Sequence, residues 1–260
     1  MKILFSPVGS RDPISHNHDG SMLHVCRKYK PDYVYLYLSE EMKEYQYKDG
    51  RYTKAIDLIN DKYKSNIKYK TVDGSNIEDV YRFDVYFDEF QEIFNEIVEK
   101  YPNAEILLNT SSGTPGMKSA LQIIASLDEK GIYKPIQVES PLKRCDKGNR
   151  HMVEYDLEKE QTGNLDNSDE YVDRVKESPK INFISKIKKD ILKKQVENYN
   201  YYAAFEIAKD IDDLSEELLS AIKEAKEKLS TDKTEFIELF KEKVDISELE
   251  EINKRINILL

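Results

Sequence analysis

The chain lacks the features that mark several common classes of protein. It has 260 residues but no tryptophan and two cysteines, Cys26 and Cys145. Two cysteines so far apart are too few for a disulfide framework, which favours a reducing compartment such as the cytoplasm. No apolar run reaches the roughly 18 residues of a membrane-spanning helix, so no membrane partner is expected. The apolar run near the amino terminus is too short for a signal peptide.

An excess of basic charge is also missing. The formal net charge is −10, whereas a broad nucleic-acid-binding surface needs a basic face. The sequence therefore argues against DNA as a partner. It leaves room for a local pocket that holds a few phosphate groups.

What the sequence does contain is an alternation of apolar strand-like and amphipathic helix-like segments over residues 1–157. This pattern predicts an α/β fold, a Rossmann-like, mostly parallel sheet with helices on both faces. We expect its last strands at Tyr133–Ser140 and His151–Leu157. Residues 158–180 are polar and acidic, which predicts a linker or an exposed excursion. Residues 181–260 have helical periodicity and predict an all-α domain.

Two loops follow predicted strands and are rich in small, hydrogen-bonding residues. Loop one is Ser6–Pro13, SPVGSRDP, and loop two is Asn109–Met117, NTSSGTPGM. Ligands of open α/β sheets bind beyond the carboxyl ends of the strands, near a switch in strand order. If the two strands are neighbours, the loops face each other across one crevice.

Loop two has the chemistry of a helix start. Thr114 precedes Pro115 and is a natural N-cap, because proline suits the first helical position. The free N–H groups of that helix would attract an anion, and Gly113 and Gly116 allow a ligand close to the backbone. Lys118 adds a cation. The alternative is an ordinary capped turn, but caps do not explain the preceding Asn-Thr-Ser-Ser. Neither a P-loop nor a G-x-G-x-x-G dinucleotide motif is present.

Loop one offers Gly9, Ser10 and Asp12. Asp12 or Ser10 can bond a ribose hydroxyl or a base edge, whereas Asp12 before proline is also a common turn former. The histidines of SHNH, with His24 and Cys26, raise the question of a metal. No second cluster completes such a site, so we expect none, and we expect His24 to pack within a helix.

Together, three stretches resemble the CARF (CRISPR-associated Rossmann fold) domain of ribonucleases from type III-A CRISPR systems. They are SPVGSRDP, DGSMLHVCRKYKPDYVYLYLSEEM and LLNTSSGTPGMKSAL. The resemblance covers about residues 1–156 and, more loosely, the helical tail. The pairing of the two loops is more specific than either loop alone.

The resemblance implies a symmetric homodimer that binds cyclic oligoadenylate, a ring second messenger of antiviral defence. No cofactor is implied. Some relatives also cleave the ring slowly and without metal, acting as ring nucleases, through attack of a ribose 2′-hydroxyl. For that reaction we assign Thr114 and Asp12 as catalytic. The ligand-binding residues carried over by motif are Gly9, Ser10, Asp12, Asn109, Thr110, Ser111, Ser112, Gly113, Thr114 and Gly116.

The resemblance implies that the helical tail, residues 181–260, is an incomplete HEPN-type domain, and there the chain departs from the family pattern. Complete relatives end in a HEPN ribonuclease with an Arg-x4–6-His motif, but none of the four histidines lies beyond His151. Arg144 and His151 have the spacing, yet lie between two predicted strands. We therefore expect a sensor whose ribonuclease site is absent, with an RNA substrate only in full-length relatives. The alternatives are a CARF-type transcription regulator and a nucleotide-binding Rossmann-like enzyme. The acidic tail disfavours the regulator.

Overall fold

A computed structural model describes residues 1–75, 83–141, 154–169, 171–177, 183–211 and 214–228. The chain divides into two compact units, Met1–Ile181 and Asn182–Leu260. Among the described residues, no helix has both the length and the apolar character needed to cross a membrane. Arg144 and His151, the pair with the Arg-x4–6-His spacing, lie outside the described residues. The chain beyond Lys228 lies outside them as well.

The first unit is built on a six-stranded sheet with the order β5-β4-β1-β6-β7-β8. Its strands are β1 (Lys2–Pro7), β4 (Tyr33–Leu38), β5 (Lys68–Asp73), β6 (Glu105–Asn109), β7 (Tyr133–Val138) and β8 (Val175–Glu177). All neighbouring pairs are parallel except β7 with β8. A short hairpin, β2 (Ile14–Ser15) and β3 (His18–Asp19), follows loop one.

Helices cover both faces of the sheet, as the sequence predicts. They are α1 (Ser21–Tyr29), α2 (Glu40–Asp49), α3 (Arg51–Tyr63), α4 (Phe83–Lys100) and α5 (Pro115–Ser126). Alternate strand residues enter opposite cores, since side chains of a strand point to opposite faces. Leu4 and Leu36 pack with α1 and α3, whereas Phe5 and Tyr37 pack with α4 and α5. The predicted fold class is confirmed.

Residues after the sheet's fifth strand differ from the sequence expectation. The described end of the predicted strand His151–Leu157 is irregular at Tyr155, and Leu157 already begins helix α6 (Leu157–Thr162). Asp156 caps this helix by accepting hydrogen bonds from the N–H groups of Glu158 and Lys159, both at 3.1 Å. A carboxylate at this position favours a helix start over a strand.

The expected linker or excursion 158–180 also holds more structure than its composition indicates. It contains most of α6, a short 3-10 turn at Leu165–Asn167, and strand β8. Strand β8 extends the sheet antiparallel to β7, pairing Val138 with Val175. The buried polar residues of segment 158–180 include Asn164, Asp166 and Arg174, and Asp166 and Arg174 belong to a network of ion pairs that is described below.

The second unit is helical in its described part. Its helices are α7 (Phe183–Glu197), α8 (Tyr201–Ala208) and α9 (Glu216–Lys228). Their apolar faces form a core of their own that includes Leu192, Ala204 and Ile222. The predicted helix that opens at Asp245 lies outside the described residues.

Candidate functional site

Loops one and two meet at the point where the chain reverses its direction across the sheet. From β1 the chain builds outward to β4 and β5, and then returns to add β6 and β7 on the other side of β1. Strands β1 and β6 are therefore parallel neighbours, with Phe5 opposite Leu108. Their carboxyl ends frame the crevice in which open α/β sheets bind ligands.

A half-open cavity of about 540 Å³ lies at this crevice. Its walls come from loop one, the β2–β3 hairpin, the start of α1, loop two, the end of β7 and the residue before β8. The lining residues are Gly9, Ser10, Arg11, Asp12, Ser15, His16, Asp19, Gly20, Ser21, Thr110, Ser111, Ser112, Gly113, Lys118, Val138, Glu139, Ser140, Pro141 and Arg174.

Most of the site residues expected from sequence contribute to these walls. The lining members are Gly9, Ser10, Asp12, Thr110, Ser111, Ser112 and Gly113. Three others, Asn109, Thr114 and Gly116, do not line the cavity of the single chain. The cavity wall also contains Ser15 and His16 of the hairpin and the distant Arg174, which were not among the ligand contacts expected from sequence.

The two loops approach so closely that glycine is required in both. A Cβ atom built on Gly9 would lie 2.8 Å from the Ser112 hydroxyl. Gly113 has a φ of +87°, and a Cβ there would lie 2.7 Å from the Cβ of Pro7. Side chains at these positions would push the loops apart and change the shape of the cavity.

Asp12 ties loop one to its neighbours and is only 2% exposed. Its carboxylate accepts hydrogen bonds from the N–H groups of Gly9 and Met22, both at 3.0 Å, and from the Ser112 hydroxyl. Burial raises the pKa of Asp12, against the lowering effect of these three hydrogen bonds. Both oxygens serve protein donors, so the geometry gives Asp12 a positioning role that differs from the ribose contact expected from sequence.

Asn109 is likewise directed into the protein. Its buried amide donates to the hydroxyls of Ser6 and Ser21, at 2.9 and 3.1 Å, and its oxygen accepts from the N–H of Ser111. Asn109 therefore joins β1, β6 and the start of α1. The residue shapes the cavity from beneath, rather than from its wall as the sequence analysis expected.

Two other polar residues of loop two bond to the neighbouring strand β7. The Thr110 hydroxyl donates to the carbonyl of Ile136 at 3.0 Å, and the Ser111 hydroxyl accepts from the N–H of Val138 at 2.7 Å. Much of the Asn-Thr-Ser-Ser run thus fixes the loop in place. The Asn-Thr-Ser-Ser run, which predicted a binding site from the sequence, therefore forms the framework that supports the cavity.

Thr114 occupies the N-cap of α5, as its position before Pro115 predicts. Its hydroxyl accepts a hydrogen bond from the N–H of Met117 at 3.3 Å. Helix α5 ends at Ser126, earlier than the expected end near Gly131. Its amino terminus, with no acidic residue in the first turn, points its partial positive charge toward the crevice side of loop two.

A buried network of ion pairs supports the cavity from the hairpin side, and no sequence motif predicted it. Arg27 of α1 forms a two-pronged pair with Asp19, at 2.5 and 3.0 Å. Arg174 donates to Asp166 at 2.9 Å and to the carbonyls of Asp19 and Glu139 at 2.9 and 3.0 Å. Strand pairing brings together residues more than 140 positions apart, which sequence spacing cannot reveal.

His24 belongs to the same arginine–aspartate network. Its ring is fully buried and accepts a hydrogen bond from the N–H of Arg174 at 3.1 Å. Asp19, His24 and Asp166 bring potential metal-ligand atoms within 4.8 Å of one another. Arg27 and Arg174 already neutralise the two carboxylates, so this cluster has the charges of an ion-pair network and not those of a metal site.

Burial alone would raise the pKa of Asp166. The Asp19 N–H and Arg174, which donate to Asp166 at 2.8 and 2.9 Å, and the His24 ring 3.8 Å away together outweigh burial and hold the pKa of Asp166 well below its ordinary value. The carboxylate therefore stays charged in the protein interior.

Family comparisons agree with this architecture. A model of the Cas_Csm6 CARF domain matches residues 69–175, and a model of the CRISPR-associated protein Csm6 6H domain matches residues 178–229. The fold and the crevice thus define a CARF-domain protein with a helical domain after it. Within that class, the chain belongs to the Csm6 family.

Individual relatives support the same assignment. The CRISPR system endoribonuclease Csm6 of Mycobacterium tuberculosis is 35% identical over 212 residues, which cover 80% of this chain and 49% of that protein. The Enterococcus italicus Csm6 is 34% identical over 219 residues, covering 80% and 48%. The chain spans about half the length of these curated relatives.

A solved structure shows the shared fold directly. Enterococcus italicus Csm6 bound to cyclic hexa-2′-fluoro-hexa-dAMP matches with a TM-score of 0.71 and 28% identity. The match covers 88% of this chain and 54% of that one.

Proposed function

We propose that this chain is the sensor part of a type III CRISPR defence protein and binds a cyclic oligoadenylate in the cavity between loops one and two. The observation that carries this proposal is the cavity itself, placed at the switch in strand order and lined by hydroxyls and cations. The Enterococcus italicus relative, with the same fold, is bound to a cyclic hexanucleotide analogue. The cytoplasm is the proposed compartment.

The ring is bound by a homodimer in this proposal. One cavity of about 540 Å³ offers a single set of contacts, whereas a ring with an even number of adenylates repeats its chemistry about a two-fold axis. A symmetric dimer presents the same contacts twice, once from each copy. Among the residues proposed from the sequence motifs, Ser10 and Gly113 contact the ligand from the wall in this proposal, Asp12 lines the wall and holds the two loops together, and Asn109 supports the cavity from beneath.

Slow cleavage of the ring is a further part of the proposal. A ribose 2′-oxygen attacks the adjacent phosphorus, the bond to the 5′-oxygen breaks, and the hydroxyl proton leaves the 2′-oxygen while the 5′-oxygen gains one. The products are a 2′,3′-cyclic phosphate and a 5′-hydroxyl. Thr114 and the N–H groups of α5 would stabilise the negative charge of the phosphorane. Asp12 acts by holding the loops in place, not by touching the ribose.

In longer relatives the sensor would control a carboxyl-terminal HEPN ribonuclease that acts on RNA. Ring binding must then stabilise one arrangement of the dimer over another, because a ligand shifts an equilibrium only by its difference in affinity. This chain would contribute the binding half of that coupling through its CARF and 6H domains.

Calorimetry with cyclic tetra- and hexa-adenylate tests the proposal, followed by mass spectrometry of the products. We expect micromolar or tighter binding of one ring. Thr114→Ala should slow cleavage by about 100-fold, in the range seen when a charge-stabilising group is removed, and should weaken binding far less. Ser119→Ala is the matched control, because Ser119 is an exposed hydroxyl on the same helix.

The outcomes are distinct. Failure of both rings to bind at micromolar concentrations would overturn the proposed function. Equal cleavage by Thr114→Ala and Ser119→Ala would leave the binding proposal intact and remove Thr114 from the chemistry.

A further inference from the structure

The charged groups that line the cavity fall into two sets. The acidic members are already used by the protein, since Asp12 accepts three hydrogen bonds, Asp19 pairs with Arg27, and Glu139 lies 3.9 Å from Lys176. Arg174 is a cation with protein partners, as described above. These groups have little left to offer a ligand.

Arg11 and Lys118 are different. Both line the cavity, yet within the described ranges neither side chain forms an ion pair or a hydrogen bond. Arg11 is exposed on loop one, and Lys118 is half-buried on α5. Loop one and the first turn of α5 therefore each bring to one cavity a positive charge that forms no ion pair among the described residues, in a chain whose net charge is −10.

The placement of Lys118 is unfavourable for a positive charge. It is the fourth residue of α5 and lies in the first turn, where the partial positive charge of the helix end repels a cation. Burial lowers the pKa of Lys118, Asp12 opposes this by raising it, and Arg11 lowers it further by like-charge repulsion. A positive charge at this position is destabilising by itself and would be stabilised by a bound anion.

We propose that Arg11 and Lys118 form a two-cation clamp for neighbouring phosphodiester groups of the ligand. This inference rests on the proposed function and extends it by naming the groups that recognise the ring backbone. The planar guanidinium of Arg11 offers several fixed donors to one phosphate, and the Lys118 ammonium acts as a point charge on the next. The clamp reads the backbone and leaves base recognition to the neighbouring loop residues.

Salt dependence of binding tests the clamp. For the wild-type protein and the ring that binds, log affinity should fall linearly with log salt concentration. Arg11→Ala and Lys118→Met should each weaken binding by about tenfold or more, the range of a lost charge-assisted hydrogen bond. Each should also reduce the salt slope by roughly 0.7, the increment for one phosphate of a single strand.

A matched control removes a lysine elsewhere in the same unit. Lys70 is exposed on the edge strand β5 and does not line the cavity. Lys70→Met removes one positive charge, so it reports the effect of net charge alone. We expect it to change affinity by less than about twofold, because exposed charges beyond a Debye length are screened at physiological salt.

Lys118→Arg supplies a readout that a structural role would not move. As the pH rises toward the lowered pKa of Lys118, wild-type affinity should fall, because the neutral amine no longer attracts phosphate. The arginine variant stays charged throughout and should retain its affinity. Lys118→Met should show no such pH dependence.

Failure of this inference is separable from failure of the proposed function. If the wild-type protein binds neither ring, the proposed function is overturned and the clamp with it. If it binds a ring but the Arg11 and Lys118 variants match Lys70→Met in affinity and salt slope, the clamp alone is overturned.

Discussion

Two buried aspartates on either side of the cavity show how differently a carboxylate can be kept inside a protein. Asp12 and Asp166 are each 2% exposed. Asp166 faces Arg174 and lies in a network that contains two arginines, whereas Asp12 accepts hydrogen bonds from two N–H groups and a hydroxyl. Their pKa values move in opposite directions, that of Asp12 upward and that of Asp166 downward.

The contrast teaches that the pKa of a buried carboxyl is set by the balance between burial and its partners. Hydrogen bonds from neutral donors do not offset the desolvation of Asp12, whereas the Asp19 N–H, the nearby His24 ring and Arg174 together more than offset that of Asp166. The two buried ion pairs, Arg27–Asp19 and Arg174–Asp166, form an ionic brace. The hydrogen-bond network around Asp12 lies next to the proposed phosphate clamp and contains a carboxyl whose pKa is raised.

The largest expected effect comes from breaking the ionic brace. Asp166→Ala leaves Arg174 as an uncompensated charge in the interior, so we expect a loss of about 3–5 kcal/mol in the free energy of unfolding. Urea denaturation measures it. The control is Asp173→Ala, which breaks the ion pair with Lys28 at the surface, where both side chains are more than a third exposed. That pair should contribute at most about 1 kcal/mol.

A loss for Asp166→Ala no greater than that for Asp173→Ala would show that burial does not make the two ion pairs different.

The brace should also appear in the pH dependence of stability. The folded-state pKa of Asp166 lies below its ordinary value of 3.8. The folded protein therefore binds this proton less readily than the unfolded chain, and the stabilisation is present above about pH 4 and lost as the pH falls through the lowered pKa. Urea midpoints of the wild type and Asp166→Asn, measured from pH 7 down to pH 2, should begin to approach each other below about pH 4. Parallel curves would contradict the assignment.

The contribution of Asp12 to the pH dependence of stability should be smaller than that of Asp166 and opposite in sign. Its folded-state pKa is raised, so its contribution to stability declines as the pH rises above 3.8 and levels off above the raised pKa. Asp12→Asn cannot lose a proton, and the wild type should lose stability relative to it over that range. The amide cannot accept from all three donors, so we expect a constant cost of about 1–2 kcal/mol besides.

A wild type that gains stability over Asp12→Asn as the pH rises would show that the pKa of Asp12 is not raised.

Sequence reasoning found the fold and the position of the crevice because both depend on local patterns. Apolar runs alternating with amphipathic helices define the sheet, and the Thr114-Pro115 start defines the head of α5. The predicted loops meet because β1 and β6 are neighbours. Each of these features is readable within a few residues of sequence.

What sequence reasoning missed depends on distant pairing. Arg174 lies in a polar segment that resembles a linker, and only strand β8 brings it to Asp19 and His24. The sequence also could not show in which direction a side chain points. Asp12 and Asn109 have the residue types of ligand contacts, but each is used by protein partners that come from other elements.

Ser112→Ala should have the smallest effect on stability, and it tests the hydrogen bond that joins the two loops. Its hydroxyl donates to Asp12 and joins loop two to loop one. Removing it leaves Asp12 with two hydrogen bonds, so we expect a loss of about 1 kcal/mol in the free energy of unfolding.

Ser10→Ala is the control, because Ser10 lines the same cavity but is exposed, and it should change stability by less than about 0.5 kcal/mol. Since the Ser112 hydroxyl lowers the pKa of Asp12, the alanine substitution should raise that pKa further, and the stability of the variant should go on declining to a higher pH than that of the wild type. No bond of Ser112 reaches the ionic brace, so a shift in the acid limb set by Asp166 would mean that the two networks are coupled and the contrast between them is incomplete.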